Sequence, residues 1–351
     1  QRAKAIYYWV QDHIKYVAFE DGMGGFIPRD AGLVCQRRYG DCKDMSSILV
    51  EMLKYAEIDA SLTWIGTRDL PYSYSELHTP SIDNHMIASF NHQNTTIFLD
   101  AVGAYTPYGF TTEMIQGKEA LIGRGENNFE VKKVPVMKKE RNLKKDAVEC
   151  VYEGGLLKGT GNLMAKGYAK LDFVYALINL NEQKKKEKLM ALLSKGNNKF
   201  LVQQASFRGL KERDADLNLS YQFSIGNYVN AFEQELYVNL HLDKMLRGKE
   251  VDLQIRKESA LKFDHAVLDS LSVNFLVPKG YMLTHLPPDV SFETSDFGFD
   301  VKYEKGDGHV SLKVSYFNQL LSLDSSKFAQ WNKMVKLITM AYQEILVLKK
   351  I

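Results

Sequence analysis

Apolar side chains recur along this chain first with the period of a helix and later with a period of two. From Ala3 to Ile14, residues Ala5, Ile6, Trp9, Val10 and Ile14 fall on one helical face, and the Gly-rich stretch Asp21-Gly22-Met23-Gly24-Gly25 behind Phe19 predicts a turn. A loop then runs to Gly40-Asp41-Cys42. After it Met45, Ile48, Leu49, Met52 and Leu53 take the i, i+3, i+4, i+7 and i+8 places of an amphipathic helix. Cys42 is therefore expected at or just before the first turn of a buried helix. Leu62, Trp64 and Ile65 predict a strand, and Arg68 to Asp83, with Pro71 and Pro80, a polar loop. Two short apolar runs, His85 to Phe90 and Thr95 to Leu99, predict a β-hairpin across Asn91-His92-Gln93-Asn94.

Between Phe129 and Lys145 the apolar period fades and basic residues gather, with Pro135 and the cluster Lys138-Lys139-Glu140-Arg141. This stretch reads as a solvated linker and predicts two domains, 1–136 and 137–351. The second is mainly β. Leu217, Leu219, Tyr221, Phe223 and Ile225 alternate, as do Leu271, Val273, Phe275 and Val277, and Gly306-Asp307-Gly308 punctuates a hairpin. Sheets with one covered face follow, expected as a sandwich. Two helices interrupt them, one over Tyr168 to Lys195 and one from Ser326 that closes the chain. The latter carries the stripe Phe328, Trp331, Val335, Ile338, Tyr342 and Ile345, read as a face docked on the sheet.

Composition narrows the classes. At 351 residues, with 45% hydrophobic and 25% charged side chains, the chain can bury two cores. A formal net charge of +2, from 45 basic and 43 acidic residues, supplies no field for nucleic acid or an anionic membrane. No stretch is long and apolar enough for a membrane span. The three cysteines, Cys35, Cys42 and Cys150, are too few for a disulfide scaffold, so a free thiol is expected.

The candidate chemistry follows from position. A thiolate is the nucleophilic form of cysteine, and a helix N-terminus offers unpaired N–H groups and partial positive charge to stabilise it. Cys42 has that place. Of the eight histidines, His85 heads an apolar strand, whereas His92 sits in the hairpin turn and His78 in a polar loop. A turn centred between His92 and Gln93 would set His85 directly opposite Asp100, close enough for an imidazole–carboxylate hydrogen bond. Taken singly, these three are ordinary residues: a small buried thiol, a satisfied core imidazole, a turn-forming aspartate. Their joint placement is what points to chemistry. Cys35, on a loop with no helix start behind it, is the weaker nucleophile, and a zinc site from Cys42, His85 and Asp100 lacks the short paired spacings of structural zinc sites.

The blocks Tyr39-Gly40-Asp41-Cys42-Lys43-Asp44-Met45, Asp83-Asn84-His85-Met86 and Phe98-Leu99-Asp100-Ala101 resemble, in that order, the three motif blocks of the bacterial transglutaminase-like core. Trp9-Val10-Gln11, Ile14-Lys15-Tyr16, the Gly24-Gly25 to Pro28 loop, Tyr108-Gly109 and Gln116-Gly117-Lys118 are similar to it as well. The resemblance spans roughly residues 1–136 strongly and the rest weakly. It implies a papain-like α+β fold, a Cys42-His85-Asp100 triad and chemistry on an amide carbonyl, without a cofactor. One subgroup of the family consists of apparently exported bacterial proteins with further β domains. Export, to the periplasm or beyond it, with a signal sequence and another domain ahead of Gln1, is therefore implied.

The expected fold is a papain-like transglutaminase core followed by a β-rich, sandwich-like domain ending in an amphipathic helix. The expected function is cysteine-dependent acyl transfer on peptide or glutamine-type amides through a thioester, hydrolytic rather than crosslinking, with a peptide or protein as partner. The oxyanion would be met by the Cys42 N–H and a second donor, for which Gln36 or a side chain between Trp9 and Tyr16 are the candidates. The alternative is a catalytically silent module of the same shape that binds a peptide or glycan. The β-rich half shows no ionisable cluster that suggests a site of its own.

Overall fold

The structure, a computed structural model, describes residues 1–18, 22–256 and 259–351. Phe19 and Asp21, at the start of the expected turn, lie outside the described residues; Gly22–Gly25 forms a single 3₁₀ turn. The chain divides into two compact units, Gln1–Met137 and Lys138–Ile351.

In the first unit three helices, α1 (Arg2–His13), α2 (Ala31–Arg37) and α3 (Cys42–Tyr55), precede the main sheet. The two-residue strands β1 (Lys15–Tyr16) and β2 (Tyr39–Gly40) pair in parallel and bring the ends of α1 and α2 together. The main sheet is antiparallel, with strands β3 (Ala60–Ile65), β4 (His85–His92), β5 (Thr95–Leu99), β6 (Glu119–Gly123) and β7 (Phe129–Lys133) in the order β5-β4-β3-β6-β7. Helix α3 packs on β3 and β4, with Met45, Leu49 and Leu53 against Ala60, Ala88 and Phe90. The opposite face of the sheet buries Ile65, Ile87, Ala120 and Ile122. Hydrophobic side chains on both faces explain why β4 reads as a continuous apolar run rather than an alternation.

Two features depart from the expected layout. Cys35 lies within α2, half-buried, because Asp30 caps that helix by accepting a hydrogen bond from the Leu33 N–H at 3.0 Å. The stretch from Phe129, expected to be linker, contributes an edge strand before the chain leaves the unit at Met137. Its basic residues Lys132 and Lys133 were read as solvated linker, yet an edge strand tolerates them.

The second unit begins with the long hairpin β8 (Leu143–Glu153) and β9 (Leu156–Ala165). Helices α4 (Gly167–Leu177) and α5 (Glu182–Leu193) follow, then β10 (Phe200–Arg208), β11 (Leu217–Gly226), β12 (Asn230–Phe232) and β13 (Glu235–Val238). After the short helix α6 (Leu253–Arg256) come β14 (Leu261–Lys262), β15 (Val267–Leu276), β16 (Tyr281–His285) and β17 (Val290–Glu293). The chain closes with β18 (Phe297–Lys305), β19 (His309–Asn318), β20 (Ser322–Leu323), α7 (Phe328–Ala341) and β21 (Leu346–Lys350). Eight strands form one sheet in the order β10-β11-β9-β8-β15-β19-β18-β17, antiparallel throughout except for the parallel pair β8–β15. A four-stranded sheet, β12-β13-β21-β16, shares its hydrophobic core. Helices α4, α5 and α7 contact the large sheet at β8, β10, and β17 with β18, so the layer that covers it is in part helical.

The expected helix over Tyr168–Lys195 is two helices, parted where the Asn181 side chain caps α5 by accepting from the Lys184 N–H at 2.9 Å. The expectation that a helix ends the chain is also corrected. Helix α7 stops at Ala341, and Ile345 leads into β21, which lies between β13 and β16. Leu346 and Leu348 alternate with more exposed neighbours and pair with β13, a register that helical geometry could not supply. The stripe itself docks as read: Phe328, Trp331, Val335, Ile338 and Tyr342 are buried, and Trp331 donates its indole N–H to the Lys249 carbonyl at 2.8 Å. Among the described residues no helix is long and apolar enough to cross a membrane.

Leu348 is fully buried at the centre of the small sheet. Leu348→Ala is expected to destabilise the protein by about 2–5 kcal/mol through lost burial and the cavity left behind. A shift in the midpoint of urea denaturation measures it, and no shift would show that β21 is peripheral to the core.

Candidate active site

Cys42 is the first residue of α3. Asp41 caps the helix, its Oδ1 accepting from the Lys43 and Asp44 N–H groups at 2.9 and 3.2 Å, and Asp44 Oδ2 accepts in return from the Asp41 N–H at 3.0 Å. Both carboxylates are buried and each has a cation. Lys43 Nζ lies 2.6 Å from Asp41 Oδ2, while Arg29 donates its backbone N–H to Asp44 Oδ1 and its Nε–H to Oδ2, each at 2.9 Å. Burial would raise the Asp44 pKa, but the hydrogen bonds from Arg29 and from the Asp41 N–H outweigh it and hold the group below its ordinary value. Asp44 folds back so tightly that a Cβ on Gly40 would lie 2.4 Å from its Cβ, which explains a glycine two residues before the thiol.

His85 opens β4. Ser46, one turn into α3, lies 2.8 Å from the Cys42 carbonyl and 2.9 Å from the Met86 carbonyl, so its single proton ties the helix of Cys42 to the strand of His85. The preceding Asn84 clasps the end of β3, accepting from the Thr67 N–H at 2.8 Å and donating to Thr67 Oγ1 at 3.0 Å. Gly66 lies so close beneath this loop that a Cβ would stand 2.2 Å from the Ile82 carbonyl oxygen. The start of β4 is thereby held from both sides.

Asp100 follows β5, and its Oδ2 lies 3.0 Å from His85 Nε2. The register differs from the expected one. His92 pairs with Thr95 and Ala88 with Leu99, so the turn is Gln93-Asn94, both with positive φ (47° and 63°) as a tight two-residue hairpin requires. A shift of two residues leaves every side chain on the same face, so Asp100 meets His85 diagonally rather than head-on. The carboxylate also accepts from Thr112 Oγ1 at 2.6 Å and from the Val102 N–H at 3.2 Å. Two residues of α1 secure its backbone: Tyr7 donates its hydroxyl to the Asp100 carbonyl at 2.8 Å, and Gln11 Nε2 donates to Gly103 O at 2.6 Å and Thr106 O at 3.1 Å.

Cys42, His85 and Asp100 are all buried. Burial by itself lowers the His85 pKa, but the charge and hydrogen bond of Asp100, with a further contribution from the Cys42 side chain, raise it to about 10. Asp100 is pushed up by burial and down, more strongly, by His85, Thr112 and the Val102 N–H, so it stays below its ordinary value. The two shifts agree in sign with an imidazolium–carboxylate pair. Gln36 extends from the last turn of α2, exposed, and among the described residues it makes no hydrogen bond to these three. Among the described residues no group of three or more His, Cys, Asp and Glu side chains is placed to hold a metal ion.

Thr112, Tyr7, Ser46 and Arg29 were not singled out from sequence. Nothing in their spacing marks them, because each reaches the site across the fold. The second unit likewise holds a buried ionisable cluster that the sequence did not suggest. Lys195 lies 2.7 Å from Asp146, which also accepts from the Tyr221 hydroxyl at 2.8 Å, and Lys144 lies 3.5 Å from Asp269, around a cavity of about 270 Å³.

A cysteine at a helix N-terminus, with a histidine held by aspartate at one end of an antiparallel sheet, is the arrangement that an α+β first unit brings together. Residues 1–95 match the model of the transglutaminase-like superfamily core, a stretch that includes Cys42 and His85 and stops short of Asp100. Over that stretch the first unit is similar to the core of the transglutaminase-like superfamily. A crystal structure from Parabacteroides distasonis, of a protein provisionally described as a protease, shares the fold with a TM-score of 0.55 at 7% identity. The likeness covers 99% of this chain and 51% of that one, so the chain spans about half the length of the protein it matches. No curated protein sequence matches the chain.

The pH dependence of stability follows from the two shifts. The folded pKa of His85 lies above its ordinary 6.5, so its contribution is full below about 6.5 and drains away as pH rises through about 10. That of Asp100 lies below its ordinary 3.8, so its contribution is present above that value and is lost on acidification. The wild-type denaturation midpoint is expected to fall between pH 6.5 and 10 with a slope that His85→Ala abolishes. Equal slopes in both proteins would show that the pair does not titrate as described.

Proposed function

We propose that the protein is a cysteine-dependent acyl-transfer enzyme acting on peptide or glutamine-type amides, with Cys42 as nucleophile, His85 as general base and acid, and Asp100 as the orienting carboxylate. The single observation that carries this reading is the placement of Cys42 at the start of α3 together with a buried His85 imidazole whose Nε2 lies 3.0 Å from Asp100 Oδ2. A protonated imidazole and a helix N-terminus are the two surroundings that favour a thiolate.

In this reading the Cys42 thiolate attacks the amide carbonyl carbon, and the carbonyl oxygen becomes an oxyanion facing the Cys42 N–H. Collapse of the tetrahedral intermediate breaks the C–N bond, and His85 gives its proton to the departing amine. A thioester on Cys42 remains. Water then attacks the thioester with its proton passing to His85, and loss of the thiolate releases a carboxylic acid. An amine in place of water would give a new amide, so the acceptor alone separates hydrolysis from crosslinking. We favour hydrolysis, by analogy with bacterial members of the superfamily. Export to the periplasm belongs to the same proposal, and fractionation of cells carrying the natural gene tests it.

Intact-mass labelling with limiting iodoacetamide at about pH 6, where ordinary thiols are almost wholly protonated, tests the nucleophile. Rapid single labelling at Cys42, slowed at least about tenfold by His85→Ala, is expected. Cys42→Ser is expected to abolish turnover with little loss of stability, and Asp100→Ala to reduce it less. Uniformly slow labelling would turn the reading towards a silent module that binds a peptide or glycan. Gln36 is proposed as the second oxyanion donor, and Gln36→Ala is then expected to lower kcat by roughly 10²–10³. An unchanged kcat would remove it from the mechanism.

A further inference from the structure

A cavity of about 490 Å³ opens on the face of the first unit's sheet. Its floor is a row of apolar side chains: Trp64 pairs with Leu121 across β3 and β6, Leu121 pairs with Val131 across β6 and β7, and Phe129 lies two places before Val131 on β7. Directly opposed residues and i, i+2 neighbours project from one face of a sheet, which places these four together. Phe26, from the loop before α2, and Tyr74, from the loop between β3 and β4, complete the walls. Phe129 and Phe26 are 66% and 54% exposed, so the cavity carries uncovered aromatic surface.

One carboxylate, Asp83, lines this apolar space. Its Oδ1 accepts the Tyr74 hydroxyl at 2.8 Å. Lys118 acts on it from nearby, but the Lys118 ammonium already donates to Leu70 O at 2.6 Å and Tyr72 O at 3.0 Å, and Glu119 adds a second carboxylate, which accepts from the Tyr74 N–H at 3.0 Å. Of these three charged side chains, Asp83 and Glu119 are acidic and Lys118 basic, which leaves one acidic charge in excess, with His78 on the wall. A purely apolar occupant would strip water from Asp83 without replacing it. An aliphatic stem ending in a cation would cover the floor, stack its head on aromatic faces and pair with the carboxylate.

The cavity is tied to the reacting groups by short stretches of chain. Asp83 is two residues from His85, a span of at most roughly 7 Å. Phe26 is three residues from Arg29, which grips Asp44 in the first turn of α3. We propose that this cavity is the subsite for a basic side chain, lysine or arginine, of the peptide substrate, with Asp83 as the residue that selects it. The proposal rests on the acyl-transfer reading and names its substrate class.

The test separates binding from chemistry. A lysine is walked along an otherwise neutral, fluorescently labelled octapeptide, norleucine is walked in parallel, and binding to the Cys42→Ala protein is read by fluorescence anisotropy. At one position lysine is expected to bind at least about tenfold tighter than norleucine, an advantage that shrinks as ionic strength rises. Asp83→Asn, confirmed as folded by an unchanged circular dichroism spectrum, is expected to remove the advantage. Absence of a lysine advantage at every position, its survival in Asp83→Asn, or no binding by either series would overturn the assignment. Failure here leaves the iodoacetamide reactivity of wild-type Cys42 untouched, and slow labelling there leaves the anisotropy result standing, so the two readings fail separately.

Discussion

A carboxylate without access to water is the constraint around which the first unit is built. Asp100 is fully enclosed, and an ionised carboxylate in such a place is costly unless it is paired and hydrogen-bonded. Three groups meet its oxygens: the His85 imidazole, the Thr112 hydroxyl and the Val102 N–H. Tyr7 and Gln11 of α1 then hold the backbone on which it stands. Removing any one would leave part of a buried charge unsatisfied, so these distant segments share one requirement. The same pairing raises the His85 pKa and so favours its protonated form.

Helix α3 meets a second electrostatic demand at its N-terminus. Its first turn carries two buried aspartates, Asp41 and Asp44, whose charges would oppose a thiolate at Cys42 if they stood alone. Lys43 and Arg29 neutralise them individually, which leaves the caps in place and the N-terminus free to favour an anion. Ser46 joins this helix to β4 through a proton shared between two carbonyls, so the distance between thiol and imidazole is set by main chain on both sides. A site so supported has little conformational freedom left to lose.

The hairpin shows how a sound inference can survive a wrong register. The turn was read at His92-Gln93 and lies at Gln93-Asn94, where both residues adopt the left-handed conformation. Because side chains alternate faces with a period of two, a slip of two residues preserves which groups meet and changes only the angle at which they do. A slip of one would have sent Asp100 to the other face. Elsewhere local pattern misled. Asn181 divides an apparently continuous helix, and the segment after Ala341 was read as helix although its leucines are spaced as in a strand.

Local chemistry was legible in the amino-acid sequence: the helix that begins at Cys42, the strand headed by His85, the hairpin that returns to Asp100, and the alternation of the second unit. Periodicity and caps act over a few residues, so a linear reading captures them. The partners that make the charges of His85 and Asp100 tolerable came only from the fold. Tyr7 is 93 residues from Asp100, Ser46 is 40 from Met86 and Arg29 is 15 from Asp44, and no spacing rule links positions so far apart. The aromatic cavity beside Asp83 is likewise assembled from three strands and two loops. Sequence decides which residues can form each element; only packing decides which of them face one another, because hydrophobic burial selects a single arrangement of the elements and polar groups must then find partners within it.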